Sequence, residues 1–96
     1  MLFRSIPEDD DLVEVTDSMK EVVGNFTWIV VDKAQKRLSN GLFAVQMGEG
    51  VTVIESKLVD GVFHVRGIGG IDMKIPAESA QLMSIIGKVT HKIFKC

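Results

Sequence analysis

Three turn signals spaced nine to eleven residues apart decide most of what this chain can become: Ser39-Asn40-Gly41, Gly48-Glu49-Gly50 and Val59-Asp60-Gly61. Each stands between short runs of apolar and β-branched residues. Gly beside Asn, Asp or Glu supplies the backbone angles that a tight hairpin loop needs. Helices of ordinary length do not fit between such breaks.

The segments around the turns read as strands. Residues 11–16 alternate apolar and polar side chains, as a half-buried strand does. Residues 27–33 are a run of β-formers, expected to be buried on both faces. Residues 42–47 and 51–58 make a hairpin across the Gly48-Glu49-Gly50 turn, and residues 62–68 return after Val59-Asp60-Gly61. Residues 69–81 are a looser excursion with one short strand at 73–75. Residues 82–95 are the longest β-like stretch, and Gly87 in its middle predicts a bulge or bend. One helical turn is predicted over residues 17–24. Asp17 or Ser18 caps it, Glu21 stands near the capping-box position and Gly24 ends it. The expected fold is all-β: a strongly bent antiparallel sheet or partly open barrel with one short helical turn.

At 96 residues the chain makes one domain. Polar residues 1–11, with Pro7, read as the remnant of a linker, and residues 12–96 as the domain. The net charge of −2 gives the chain as a whole no nucleic-acid footprint. That charge is uneven: residues 1–21 sum to −5 and the remainder to +3. One cysteine, Cys96, excludes an internal disulfide and a cysteine-built zinc site, and fits a reducing compartment. No signal peptide and no membrane-spanning apolar run is present. The acidic run Glu8-Asp9-Asp10-Asp11 reads as solvated rather than metal-binding, Gly67-Ile68-Gly69-Gly70 as a turn rather than a phosphate loop, and the five Met residues as packing. No cofactor and no metal is expected.

Ser18, in Asp17-Ser18-Met19, raises the question of nucleophilic chemistry. A serine hydroxyl needs an adjacent base. His64 and His91 both fall within predicted strands and read as surface or rim residues. A lysine base must be neutral, which requires burial.

Taken in order, residues 12–21, 28–33, 40–58 and 85–94 resemble the C-terminal domain of LexA and the temperate-phage repressors, the family that includes UmuD. The resemblance covers about residues 12–95. It implies that Ser18 occupies the nucleophile position for self-cleavage. In that family a general-base lysine follows the Val-Thr-Val of the hairpin. Here Val51-Thr52-Val53 is followed by Ile54, which has no nitrogen to accept a proton. The nearest lysine, Lys57, lies three residues on and points to the opposite face of a regular strand. The family cuts itself at a bond between a small residue and Gly, and residues 1–17 contain no Gly. Ser18 and Ile54 are therefore read as vestigial nucleophile and base positions, with Ser18 serving as a cap or packing residue. The chain reads as a non-enzyme; the alternative is an active Ser18–Lys57 self-peptidase.

The resemblance further implies a bacterial cytoplasmic setting and a homo-oligomer, a dimer or higher. Operator DNA is bound through a separate N-terminal helix-turn-helix domain, and an antirepressor protein is a further partner. The expected self-association residues are Ile86, Val89, Ile93 and Phe94 of the last strand. Trp28 or Phe43 is expected to anchor a higher-order contact. A small all-β adaptor that binds another protein without self-assembly is the third possibility.

Overall fold

A computed structural model describes residues 10–94. Its strands are β1 (Asp10–Glu14), β2 (Trp28–Asp32), β3 (Gly41–Met47), β4 (Gly50–Val59), β5 (Val62–Gly67), β6 (Asp72–Pro76) and β7 (Ile85–Ile93), with one short helix, α1 (Lys20–Val23), between β1 and β2. All seven strands join one antiparallel sheet in the order β1-β2-β7-β3-β4-β5-β6. The sheet does not close, so β1 and β6 remain free edges. The all-β expectation holds, as an open sheet and not a barrel.

The turns behave as their sequences require. Val59 pairs with Val62 across a two-residue loop, and Asp60 and Gly61 both take positive φ, at 51° and 78°. Two positive angles in succession match the right-handed twist of the flanking strands. Asp10 and Asp11 pair with Asp32 and Val31, so the domain begins two residues inside the expected linker. The rest of residues 1–11, with Glu8 and Asp9, and Cys96 lie outside the described residues.

The last strand is central rather than peripheral. β7 is hydrogen-bonded to β2 on one side and β3 on the other, and its register shifts once against each neighbour. The shift against β3 falls between the partners Gly87 and Ile85, beside the glycine that predicted it. A side chain at Gly87 has no room: a Cβ there would stand 2.4 Å from the Asp32 carbonyl oxygen. Close backbone approach is thus the reason for glycine at this position.

Two cores lie on opposite faces of the sheet. On the first face Met19, Val22 and Val23 pack onto Ile29, Val31, Ala44 and Val53. On the second, Leu38 from the 33–40 loop and Ala80 from the 3₁₀ turn Ala77–Leu82 cover Phe43, Val45, Ile54, Phe63 and Val65. Each large apolar side chain buried this way contributes about 1.5–3 kcal/mol. Strands β3 and β4 are covered on both faces, which accounts for their unbroken apolar runs Phe43-Ala44-Val45 and Val53-Ile54.

Cover is thinner in two places. On the second face, β1, β2 and β7 carry Leu12, Trp28 and Ile93, all half-buried, around Val30, which is buried at 7% exposure. On the first face, the far parts of β4, β5 and β6 present Glu55, Lys57, His64, Arg66, Asp72 and Lys74, none of them in either core.

Candidate functional site

Ser18 lies in the turn that leads into α1, and it is exposed while its neighbour Met19 is buried. The cap is not where the sequence suggested. The Thr16 hydroxyl accepts the Met19 N–H at 3.3 Å, and the Ser18 hydroxyl makes no hydrogen bond among the described residues. Glu21 does not close a capping box either. Its carboxylate reaches across to the Gly69 N–H at 2.7 Å and ties α1 to the turn after β5. Gly24 does end the helix, donating its N–H to the Lys20 carbonyl. Ser18 is therefore neither cap nor packing residue.

The structure does not bring Ile54 and Ser18 together. Strand alternation puts Val53 on the α1 face, where it joins Met19 in the first core. Ile54 points the other way and is buried against Phe43 and Phe63 in the second core. A nitrogen in place of the Ile54 side chain would face away from the loop that carries Ser18.

Lys57 shares the face of Val53 and lies about 13 Å further along β4. It is exposed and makes no hydrogen bond to Ser18 among the described residues. It borders a polar groove of about 410 Å³ with Asn40, Glu55, His64, Arg66 and Asp72. Arg66 is bound to Glu55 at 2.8 Å, an exposed pair worth under about 1 kcal/mol. Lys57, His64 and Lys74 stand in one cross-strand row.

The residues expected to mediate self-association separate into three groups. Phe43 is fully buried in the second core, with Lys88 Nζ 5.8 Å from its ring centre, and it anchors no outside contact. Ile86 and Val89 pack against the first core, half-buried. Trp28 and Ile93 are half-buried partners across β2 and β7, on the thinly covered part of the second face. Phe94 is 60% exposed and stacks on Phe26 at 4.2 Å, and Lys92 Nζ lies 5.3 Å from the Phe26 ring centre.

Sequence reading missed Leu12 and Val30, which complete that apolar surface. Its rows across the three strands are Asp10–Asp32–Lys88, Leu12–Val30–His91 and Glu14–Trp28–Ile93. The signal was present in the alternation of β1, but the pairing of β2 with β7 joins residues some sixty positions apart. The surface is acidic along β1, at Asp10 and Glu14, and carries Lys88 and His91 along β7. Among the described residues no cluster of three or more His, Cys, Asp or Glu is placed to hold a metal ion, and no helix is long and apolar enough to cross a membrane.

No family model, no curated protein and no solved structure matches the chain. The class that fold and surface define is an open antiparallel β-sheet domain with one partly covered apolar quarter.

Proposed function

We propose that this chain is a self-association module of a transcriptional repressor of the LexA and temperate-phage type, one that does not cut itself. One observation carries the self-association: Leu12, Trp28 and Ile93 stand half-buried around the buried Val30, on a part of the sheet face that neither core includes. Two sheets bury such faces by packing about 10 Å apart with strands nearly aligned. A two-fold axis parallel to β2 sets Val30 on Val30 and Trp28 on Trp28. The same axis sets Asp10 of one copy opposite Lys88 of the second but Asp32 opposite Asp32, so charge both favours and opposes pairing along that row, and the apolar contact carries it.

The patch is small. Three strands of five residues cover about 250 Å² of sheet, well below the roughly 800 Å² per partner of a stable interface. Pairing is therefore weak and concentration-dependent. Weak pairing is enough where it makes a second DNA contact intramolecular, since linkage alone raises avidity by about 10²–10⁴.

The absence of self-cleavage rests on two features: the unbonded Ser18 hydroxyl and the burial of Ile54 on the opposite face. Release of repression then runs through a bound protein such as an antirepressor. Sedimentation over a concentration series tests the reading. Dimer is expected at high micromolar concentration, and Trp28→Glu is expected to weaken it about 100-fold. A strict monomer rejects the proposal. The chain is expected to stay intact at alkaline pH, where lysine deprotonates; a cut product would instead favour Ser18 with Lys57.

A further inference from the structure

The backbone of β6 faces two ways. The Gly67 N–H donates to the Ile71 carbonyl at 2.9 Å and the Ala77 N–H to the Gly61 carbonyl at 3.0 Å, so Ile71 and Ala77 direct these groups toward β5. Antiparallel pairing alternates the direction residue by residue. Met73 and Ile75 therefore also turn inward, while Asp72 and Lys74 hold their N–H and C=O groups away from β5. Among the described residues no strand lies beyond β6, and no backbone group bonds to Asp72 or Lys74 on that side. Such an edge is a template for a further strand.

The sequence of β6 fits a second copy of itself in one register. A two-fold axis through Met73 sets Asp72 against Lys74 of the second copy, Lys74 against its Asp72, and Met73 against Met73. The backbone parity agrees. Asp72 and Lys74, with their groups outward, form the hydrogen-bonded pairs, and Met73 forms the close non-hydrogen-bonded pair. On the second face Ile71, extended just before β6, meets Ile75 of the second copy. Ile71 and Met73 are 42% and 44% exposed, so the joint covers apolar surface. On the first face charge alternates across the joint: Arg66 flanks Asp72 in one copy, and His64 flanks Lys74 in the next. Neither Asp72 nor Lys74 is ion-paired within its own chain among the described residues.

Neighbouring registers fail. An axis through Lys74 sets Lys74 on itself and Asp72 on Pro76, which has no N–H to donate. An axis through Asp72 sets Asp72 on itself. The opposite edge of the sheet lacks the match: an axis through Leu12 of β1 sets Asp10 against Glu14.

We propose that β6 is a second self-association edge, at which two copies join antiparallel about Met73 into one continuous sheet. It lies at the other end of the sheet from β1, so it goes beyond the pairing through the apolar patch and stands without it. Where both act, β6 links patch-paired dimers end to end. A strand of 5 residues makes it the weaker contact, formed above the concentration at which the patch pairs.

Cysteine cross-linking tests it, in chains with Cys96→Ser so that the introduced thiol stands alone. Met73→Cys sets its two thiols on residues about 4.5 Å apart in Cα, within disulfide reach. Ile71→Cys, about as exposed, sets them about 13 Å apart. In a glutathione redox buffer Met73→Cys is expected to form linked dimer at least about tenfold faster than Ile71→Cys. Asp72→Lys is expected to slow that link about tenfold, and adding Lys74→Asp to restore it. Equal rates at the two sites overturn the proposal, as does a link indifferent to the charge reversal. The comparison is repeated with Trp28→Glu, which disables the apolar patch. The link is expected to persist there; its loss assigns the contact to the patch and also overturns the proposal.

Discussion

The two thinly covered quarters of the sheet are opposites. One, on β1, β2 and β7, has Leu12, Trp28, Val30 and Ile93 at its centre; the other, on β4, β5 and β6, has Glu55, Lys57, His64, Arg66, Asp72 and Lys74. Both are parts of one continuous sheet, and neither belongs to the two core clusters. The charged quarter needs no cover, because each of its side chains is solvated where it stands. The apolar quarter leaves Leu12, Trp28 and Ile93 half-exposed around the buried Val30. This contrast is the ground for placing the proposed interface on the apolar quarter.

The strand shared by both halves gives the sharpest way to break this arrangement. β7 joins β2 to β3, and its Gly87 allows the Asp32 backbone to approach. Gly87→Ala places a methyl within 2.4 Å of a carbonyl oxygen that cannot move without parting β2 from β7. A loss of about 3 kcal/mol is expected in urea unfolding, at the upper end of overpacking costs. A loss below about 1 kcal/mol would mean that the two halves are less tightly joined than this geometry requires.

The next test exchanges the characters of the two quarters. Lys57→Val, His64→Val and Lys74→Val together turn the cross-strand row on β4, β5 and β6 apolar. The triple variant is expected to add a second adhesive face and to form species beyond the dimer, seen by light scattering, with stability changed by less than about 1 kcal/mol. If it behaves as the wild type does, apolar area alone does not drive association here.

Most of the sheet was legible from local signals. The turns at Gly48-Glu49 and Asp60-Gly61 fix β3, β4 and β5, because a two-residue loop leaves its strands one way to pair. The helical segment Ala77–Leu82 was missed, although Pro76 followed by Ala, Glu, Ser, Ala and Gln is a helix-start signature. The central place of β7 was not legible, since pairing between Val31 and Val89 leaves no trace in either neighbourhood. The candidate site was the least legible part. Parity along β4 showed that Ile54 and Lys57 face apart, but only the packing of Met19 on Val53 reveals which face belongs to α1.

A smaller contrast lies within the turn before α1. Thr16 bonds the Met19 N–H while the Ser18 hydroxyl is unbonded. Thr16→Ala is expected to cost about 1 kcal/mol, as the loss of a helix cap does, and Ser18→Ala to cost nothing measurable by thermal unfolding. Equal losses would show that Ser18 contributes something the hydrogen bonds do not reveal.

The smallest expected effect concerns Asp32, where β2 turns toward the second core. The Gln35 side chain, donating at 2.7 Å, and then the Ala34 N–H hold the Asp32 carboxyl below the usual carboxylate range. Burial opposes the shift and is the weaker influence. A carboxyl with a lowered folded-state pKa binds its proton more readily in the unfolded chain. Its contribution is therefore complete above the ordinary aspartate range near 3.9 and is lost as pH falls below that toward its folded value. Asp32→Asn keeps an acceptor for Ala34 and removes the charge, so it should flatten this part of the acid limb and leave stability at neutral pH only slightly reduced. Asp10 faces Asp32 directly across β1 and β2, and like charges in that position repel. If Asp10→Asn raises stability at neutral pH by more than Asp32→Asn lowers it, the repulsion outweighs the two hydrogen bonds, and the acidic rim of the apolar quarter is held at a cost to the fold.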